Sequence, residues 1–513
     1  MKKKSSRRRI DVNVDELDRI IDTAMREPLN ETEGRTLRAA VHAMAERLVP
    51  RRNTEKTSAV LEPKAPVAAG DPTPQPGKPA LAGHGRNGAA AFTGATRITI
   101  AHATLQPGDG CPGCRGGKIY RQKEPATLVR IVGRAPLHAT VFEMERLRCN
   151  VCGEVFTATP PQSAGPEKFD VTAVAMIALL KYGAGMPFHR MERLEGQLGM
   201  PLPAATQWEL MEQAAQVIKP VLNEFIRQAA QGSVMHNDDT SMRVLKLVRS
   251  TDDGRRGVFT SGIISICAGG RKVALYFTGW KHAGENLADV LKRRAAELDA
   301  PIQMCDALSR NTPKLPGVEV LLANCLAHGR RQFVDVAANF PEECRYVLEK
   351  LGAVYGVDAE AKERGLTAEE RLAFHQSNSA PVMDDLRQWL KNQFAEHRTE
   401  PNSGLGKAIS YLLRHWPELT LFLRQRGAPL DNNIVERALK KAILHRKNAL
   451  FYKTMNGARV GDLFMSLIHT CELNKVNPFD YLAELLRHSA ELSLRPGDWM
   501  PWNYRHDAAP VAA

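Results

Sequence analysis

Three carboxylates sit where a metal-dependent reaction could use them. Asp238 lies in Met235-His236-Asn237-Asp238-Asp239-Thr240, at the start of a first β-type run. Asp306 follows the apolar stretch Ile302–Cys305, which reads as a short strand. Glu436 stands in Asp431-Asn432-Asn433-Ile434-Val435-Glu436-Arg437, at the head of a basic helix expected over Asn433–Asn448. Two strand-borne carboxylates and one helix-borne carboxylate can converge on a pair of divalent ions. Two-metal phosphoryl transfer needs such hard oxygen ligands and open coordination positions, with the ions roughly 3.5–4 Å apart across the scissile phosphate. Each residue also has a plainer reading. Asp238 or Asp239 could be a turn residue at a strand end, and Asp306 could cap the next turn. Glu436 could close a capping box with Asn433 or pair with Lys440 one turn on.

Thiols form the second group. Four of the nine cysteines lie in Cys111-Pro112-Gly113-Cys114 and Cys149-Asn150-Val151-Cys152. Each pair has the shape of a zinc knuckle, and four thiolates complete a closed, structural tetrahedral Zn2+ site. The alternative is two independent pairs of buried thiols. A redox role has less support, because no thioredoxin-like βαβ unit follows either pair. The other five cysteines are scattered, which suits a reducing compartment. Cys325 and His328 make a C-x-x-H that lacks two partners for a further zinc site, so His328 reads as a buried histidine near the core.

Basic residues form the third group. Arg330 and Arg331 follow His328 on helix positions able to reach phosphate. Arg437, Lys440, Lys441, Arg446, Lys447 and Lys453 crowd behind Glu436, as a solvated helix face or as contacts to DNA phosphates. Lys and Arg total 70 against 57 Asp and Glu, a net charge of +13 that favours a polyanionic partner, nucleic acid first.

Several elements must position these groups. Residues 1–50 read as a basic tail and a helical hairpin suited to oligomerisation or docking. Residues 51–95, rich in Pro, Gly and Ala, read as a flexible linker. Residues 96–163 form the four-cysteine β module, with strands expected at Leu128–Val132 and Thr140–Leu147. Residues 164–230 read as helices over Val171–Tyr182, His189–Gln197 and Ala204–Gln228. The Gly199–Pro203 turn between the last two fits a DNA-binding helix-turn-helix or a core hairpin. From 231 on, strands are expected at Met242–Leu247, Val258–Ile266 and Lys272–Thr278, then a helix at Glu285–Leu298 and strands at Ile302–Cys305 and Val318–Leu322. Residues 327–430 read as mostly helical. The sum is a multidomain α+β protein with a mixed sheet covered by helices. The longest apolar stretch, near Val171–Leu180, is broken by Lys181 and is too short to span a bilayer, and the N-terminus has no apolar signal-peptide core. A cytoplasmic location without membrane contact is expected.

Specific motifs now join these groups. Asp431-Asn432-Asn433, Glu436-Arg437, Arg446-Lys447-Asn448 and Leu450-Phe451 are similar to the DNN…ER…RKN.LF signature of the insertion-sequence-sixty-six transposases, a branch of the DDE transposases. Cys325, Ala327, His328, Arg330, Arg331 and Phe333 match the family's CxAHxRRxF motif, and Asp238-Asp239-Thr240 matches its Asp-Glu-Thr triplet. Asn477-Pro478 with Tyr481-Leu482, and Pro501-Trp502-Asn503, resemble its C-terminal segment, and the two CxxC pairs match its cysteine module. The usual Gly and Tyr after the second aspartate are replaced by Ala307-Leu308-Ser309-Arg310-Asn311.

The resemblance covers residues 100–505 and implies an RNase H-like catalytic core over 231–475, with a helical insertion near 340–425 and a helical C-terminal segment over 476–513. It implies that Asp238, Asp306 and Glu436 hold two Mg2+ or Mn2+ ions, and that the triplet match selects Asp238 over Asp239. The implied reaction is DNA strand cleavage followed by attack of the freed 3′-OH on target DNA. The implied partners are double-stranded DNA, as transposon ends and target, a homo-oligomer on that DNA, and accessory proteins of the element. Arg330, Arg331, Arg437, Lys440, Arg446 and Lys447 are the expected DNA contacts. The rival functions are a catalytically inactive DNA-binding regulator, which the presence of all three carboxylates argues against, and a hydrolytic RNase H-like nuclease.

Overall fold

Strands that are apolar on both faces must lie between two helical layers. Val258–Ile266 and Lys272–Gly279, here β4 and β5, are of that kind, buried along most of their length. The computed structural model describes residues 135–247, 257–314 and 319–504, most of 95–131, residues 89–91 and 316–317, and Ala24, Thr57 and Val60. The hairpin expected over 1–50 and most of the linker expected over 51–95 lie outside the described residues. Thr57 and Val60 are helical, and Val60 is buried in a hydrophobic cluster. The chain divides into two compact units, Lys64–Pro136 and the rest.

Two short antiparallel strands, β1 (Arg146–Arg148) and β2 (Val155–Thr157), precede the main sheet. The strands expected at Leu128–Val132 and Thr140–Leu147 are corrected here. Residues 128–131 are irregular, and pairing in the second segment is confined to β1. Helices α1 (Val171–Ala178), α2 (Phe188–Gln197) and α3 (Ala204–Ala230) follow, α1 running on as a π-helical turn over Leu179–Gly183.

The main sheet has five strands in the order β5-β4-β3-β6-β7. β3 (Val234–Met242) pairs antiparallel with β4 and parallel with β6 (Ile302–Cys305), and β6 pairs parallel with β7 (Leu321–Asn324). The first strand was expected at Met242–Leu247. It lies earlier, because β3 is a central strand whose polar run His236–Thr240 is held by neighbours on both sides rather than by its own β-propensity. Helix α4 (Ala283–Leu291) joins β5 to β6 and ends sooner than the Leu298 expected. Between β7 and Asn433 the described regular structure is helical: α5 (Leu326–Val336), α6 (Pro341–Glu363), α7 (Ala368–Asn378), α8 (Ala380–Ala395), α9 (Gly404–Arg414) and α10 (Trp416–Leu419). The chain returns to the sheet as α11 (Asn433–Ala449) and α12 (Met455–Leu473), then closes with α13 (Pro478–Arg487) and α14 (Ser489–Leu492).

An edge strand exposes unpaired N–H groups, and α12 answers those of β5. Asp462, Ser466, Thr470 and Asn474 accept from the backbone N–H of Thr278, Tyr276, Ala274 and Lys272 at 2.7–3.1 Å. The match is geometric. Four helical residues rise about 6 Å and two strand residues about 6.7 Å, so a polar side chain every fourth position meets every second N–H. The edge is thereby closed to another strand. One hydrophobic cluster packs α1, α3, α11, α12 and α13 around β3–β5, and a second packs α5, α6, α8 and α9 against β6 and β7.

Candidate active site

Side chains alternate across a strand, so neighbours in β3 serve opposite faces. His236 and Asp238 face α11, whereas Asp239 faces α4. There the Asp239 carboxylate pairs with His282 Nδ1 at 2.8 Å and lies 3.7 Å from Arg310 Nε. Asp238 is thus mid-strand, not at a strand start. Extending the parallel register from Val234 beside Ile302 by four residues brings Asp238 level with Asp306, just past the end of β6. Asn311 ties the two together. Its Nδ2 donates to Asp306 Oδ1 and, at 3.3 Å, to Asp238 Oδ1. Its own carbonyl is held by Asn237 Nδ2 and Gln303 Nε2, each at 2.7 Å.

Glu436 is brought toward these aspartates because the start of α11 is clamped. Asn432 sits at the N-cap with its side chain and N–H directed elsewhere. Its N–H donates to Cys325 Sγ at 3.2 Å and its Nδ2 to the Asn237 carbonyl at 3.1 Å, while its Oδ1 lies 3.1 Å from His236 Nδ1. Gly262 lets the helix come close. It pairs with Asp238 across the sheet, and a Cβ there would meet Leu439 at 3.0 Å and Val435 at 3.3 Å. Neither structural alternative for Glu436 is present: α11 has no side-chain cap, and the ion pair of Glu436 is with His328, 3.8 Å away.

Electrostatics report the convergence. Burial, then the charges of Asp306, Asp239 and Glu436, push the Asp238 carboxyl up to about 7 against the pull of the Asp239 N–H. Burial holds His236 down at about 4, so it is neutral.

The basic residues divide. Arg446 is spent on Thr240 Oγ1 at 3.0 Å and Ser241 Oγ at 2.9 Å, and Lys441 on Glu472 at 2.8 Å. Arg330 donates to Thr57 Oγ1 at 3.2 Å, and Arg331 is half-buried on α5. Arg437, Lys440 and Lys447 are exposed and share one stripe of α11 with Leu444.

The cysteine pairs each form a tight turn within their own unit. In the smaller, the Cys111 N–H donates to the Gly117 carbonyl at 2.8 Å. In the larger, Gly153 takes the left-handed φ of +77° and donates to the Cys149 carbonyl at 3.1 Å. The N–H groups of Cys152 and Val151 hold the Cys149 thiol down at about 7.

Sequence reasoning missed Asn311 and Gly262. A glycine inside an otherwise apolar strand is a usable signal of close backbone approach. Asn311 carries none, because its role depends on the turn after Asp306.

The scaffold and the cluster define an α+β protein that brings Asp238 of β3, Asp306 just past β6 and Glu436 of α11 toward one another beside the central strands of a mixed sheet. Residues 168–460 match the family model described as Transposase IS66 family, and the chain belongs to that family. Similar proteins of Sinorhizobium fredii are the uncharacterized protein y4jD, 27% identical over 465 residues (87% of this chain, 88% of the relative), and y4hP, 26% identical over 432 residues (80% and 76%). A third, y4qI, is 23% identical over 350 residues (65% and 62%). Among the described residues no helix is long and apolar enough to cross a membrane.

Proposed function

We propose that this protein is the transposase of an insertion sequence, binding transposon ends and catalysing metal-dependent DNA strand cleavage and strand transfer. The observation that carries the reading is the meeting of Asp238, Asp306 and Glu436 in a chain of a transposase family. The sheet order, three antiparallel strands then two parallel ones, supports an RNase H-like core with α5–α10 inserted before the third carboxylate.

The donor set fits Mg2+ or Mn2+. Burial first, and the charges of Asp306, Asp239 and Glu436 after it, make the Asp238 carboxyl resist ionisation, and a divalent cation offsets both effects. Asp238, Asp306 and Glu436 would hold two such ions, which supply Lewis-acid activation of the attacking oxygen and stabilisation of the departing 3′ oxygen. Asn311 orients the two aspartates, and the Asn432 clamp fixes the helix that carries Glu436. Arg437, Lys440 and Lys447 hold the phosphate backbone, whereas Arg446 anchors α11 to β3. The homo-oligomer on DNA, the accessory proteins and the cytoplasmic location belong to the same reading.

The test is incubation of purified protein with transposon-end duplex, a target plasmid and Mg2+. Expected are 3′-OH ends, joined product and binding that weakens steeply with salt. Cleavage without joining points to the hydrolytic nuclease. Binding without cleavage in Mg2+ or Mn2+ points to the inactive regulator.

Zinc on Cys111, Cys114, Cys149 and Cys152 is part of the proposal. It rests on the paired spacing and on the lowered Cys149 thiol, which suits a thiolate ligand. Elemental analysis of protein purified without chelator should find one Zn2+ per chain. None would remove the site.

A further inference from the structure

The C-x-x-H at the start of α5 lacks partners in the sequence, and the fold supplies one. Cys325 is the N-cap residue of α5 and His328 stands in its first turn. One ligand atom from each of Cys325, His328 and Glu436 lies within 4.8 Å of the others. His328 Nδ1 is already 3.8 Å from Glu436 Oε1, and their side chains are 25% and 30% exposed, so both can turn. A tetrahedral ion with ligands at 2.0–2.3 Å needs its donors about 3.5 Å apart, a change within side-chain reach.

We propose that Cys325, His328 and Glu436 form a soft-metal site for Zn2+ that shares Glu436 with the three-carboxylate set. The donor chemistry separates the two. Thiolate and imidazole select zinc over magnesium, whereas three carboxylates suit magnesium or manganese. Thiolate and carboxylate together neutralise the dication, and the Asn432 N–H already points at Cys325 Sγ at 3.2 Å. As the sulfur–metal bond forms, the thiol proton leaves to solvent. Three protein ligands leave a fourth position for water. Zinc held here competes with the hard-metal ions for Glu436 and so weakens the third carboxylate's part in the hard-metal set. That consequence rests on the transposase reading. The site itself does not.

Co2+ is the probe, titrated without DNA into full-length protein that carries one Zn2+ per chain, on the four-cysteine module. Thiolate-to-cobalt absorption should appear for one further ion per chain. It should be lost in Cys325→Ser, and the affinity should fall at least roughly tenfold in His328→Ala. Asp238→Asn, which weakens only the hard set, should keep the band. Cysteines of the zinc module contribute equally to every variant and cancel. Should Cys325→Ser fail to fold, His328→Ala decides. A folded variant of either kind with the parent's cobalt spectrum and affinity overturns the site. In Mg2+-dependent cleavage, Zn2+ should inhibit the parent at a concentration at least roughly tenfold below that needed for His328→Ala, and equal sensitivity overturns the coupling. Absence of cleavage with every metal speaks against the transposase reading and leaves the cobalt spectrum to judge the site.

Discussion

Glu436→Gln should abolish cleavage of transposon-end DNA, by several orders of magnitude, while DNA binding stays at the parent level. Glutamine keeps the shape of the side chain and removes one anionic ligand from a site that must hold two cations. Little else depends on that carboxylate. The N-terminus of α11 is fixed by Asn432, through Cys325, His236 and the Asn237 carbonyl, and not by a Glu436 cap. Among the described residues the ion pair of Glu436 is the partly buried contact with His328. Thermal unfolding should therefore be close to that of the parent, so that a dead variant is dead for want of a ligand. Binding should also survive because Arg437, Lys440 and Lys447 remain exposed along the helix. Gel-shift and cleavage assays on the same preparation separate the two properties. A Glu436→Gln protein that cleaves like the parent shows that the carboxylate holds no metal.

The sequence makes some of this legible and hides the rest for physical reasons. Ile302–Cys305 and the start of α11 at Asn433 are readable because a short apolar run and a polar N-terminal signature announce them locally. β3 is not, since His236, Asn237, Asp238, Asp239 and Thr240 suggest a turn, and only pairing with β4 and β6 makes them a strand. The reach of the basic cluster is likewise tertiary. Arg446 and Lys440 look equivalent in sequence, yet Arg446 folds back on β3 and Lys440 does not. The partner of Cys325 and His328 lies beyond the helical segment α6–α10, where no spacing rule reaches.

Without divalent cations, Asp238→Asn should be more stable than the parent at pH 8, and the advantage should vanish near pH 4. The sign follows from the proton balance. Burial first, and the neighbouring Asp306, Asp239 and Glu436 charges after it, raise the Asp238 carboxyl in the folded protein to about 7 from the ordinary 3.8. Between those values the folded state keeps a proton that the unfolded chain releases, so the parent loses stability as pH rises through the window. Below it both states are protonated and the loss is nil. Above it the loss is complete, on the order of a few kcal/mol. Asparagine is neutral throughout and escapes it. Asp462, also raised to about 7 by burial, and Glu224 and Asp358, held low by their partners, titrate alike in both proteins and cancel in the difference. Mg2+ should reverse the order. Bound to the folded parent at a hundred times its Kd it adds about 2.7 kcal/mol, and it adds less to a variant short of a ligand. Asp239→Asn should behave otherwise, because it removes the partner of His282 and Arg310 on the opposite face of β3. It should be less stable than the parent at pH 8, with its response to Mg2+ retained. Denaturation of the three proteins from pH 4 to pH 8, with and without Mg2+, reads all of this. Parallel curves for the parent and Asp238→Asn, with and without Mg2+, would mean that the Asp238 carboxyl is not raised in the folded protein and takes no part in holding a cation.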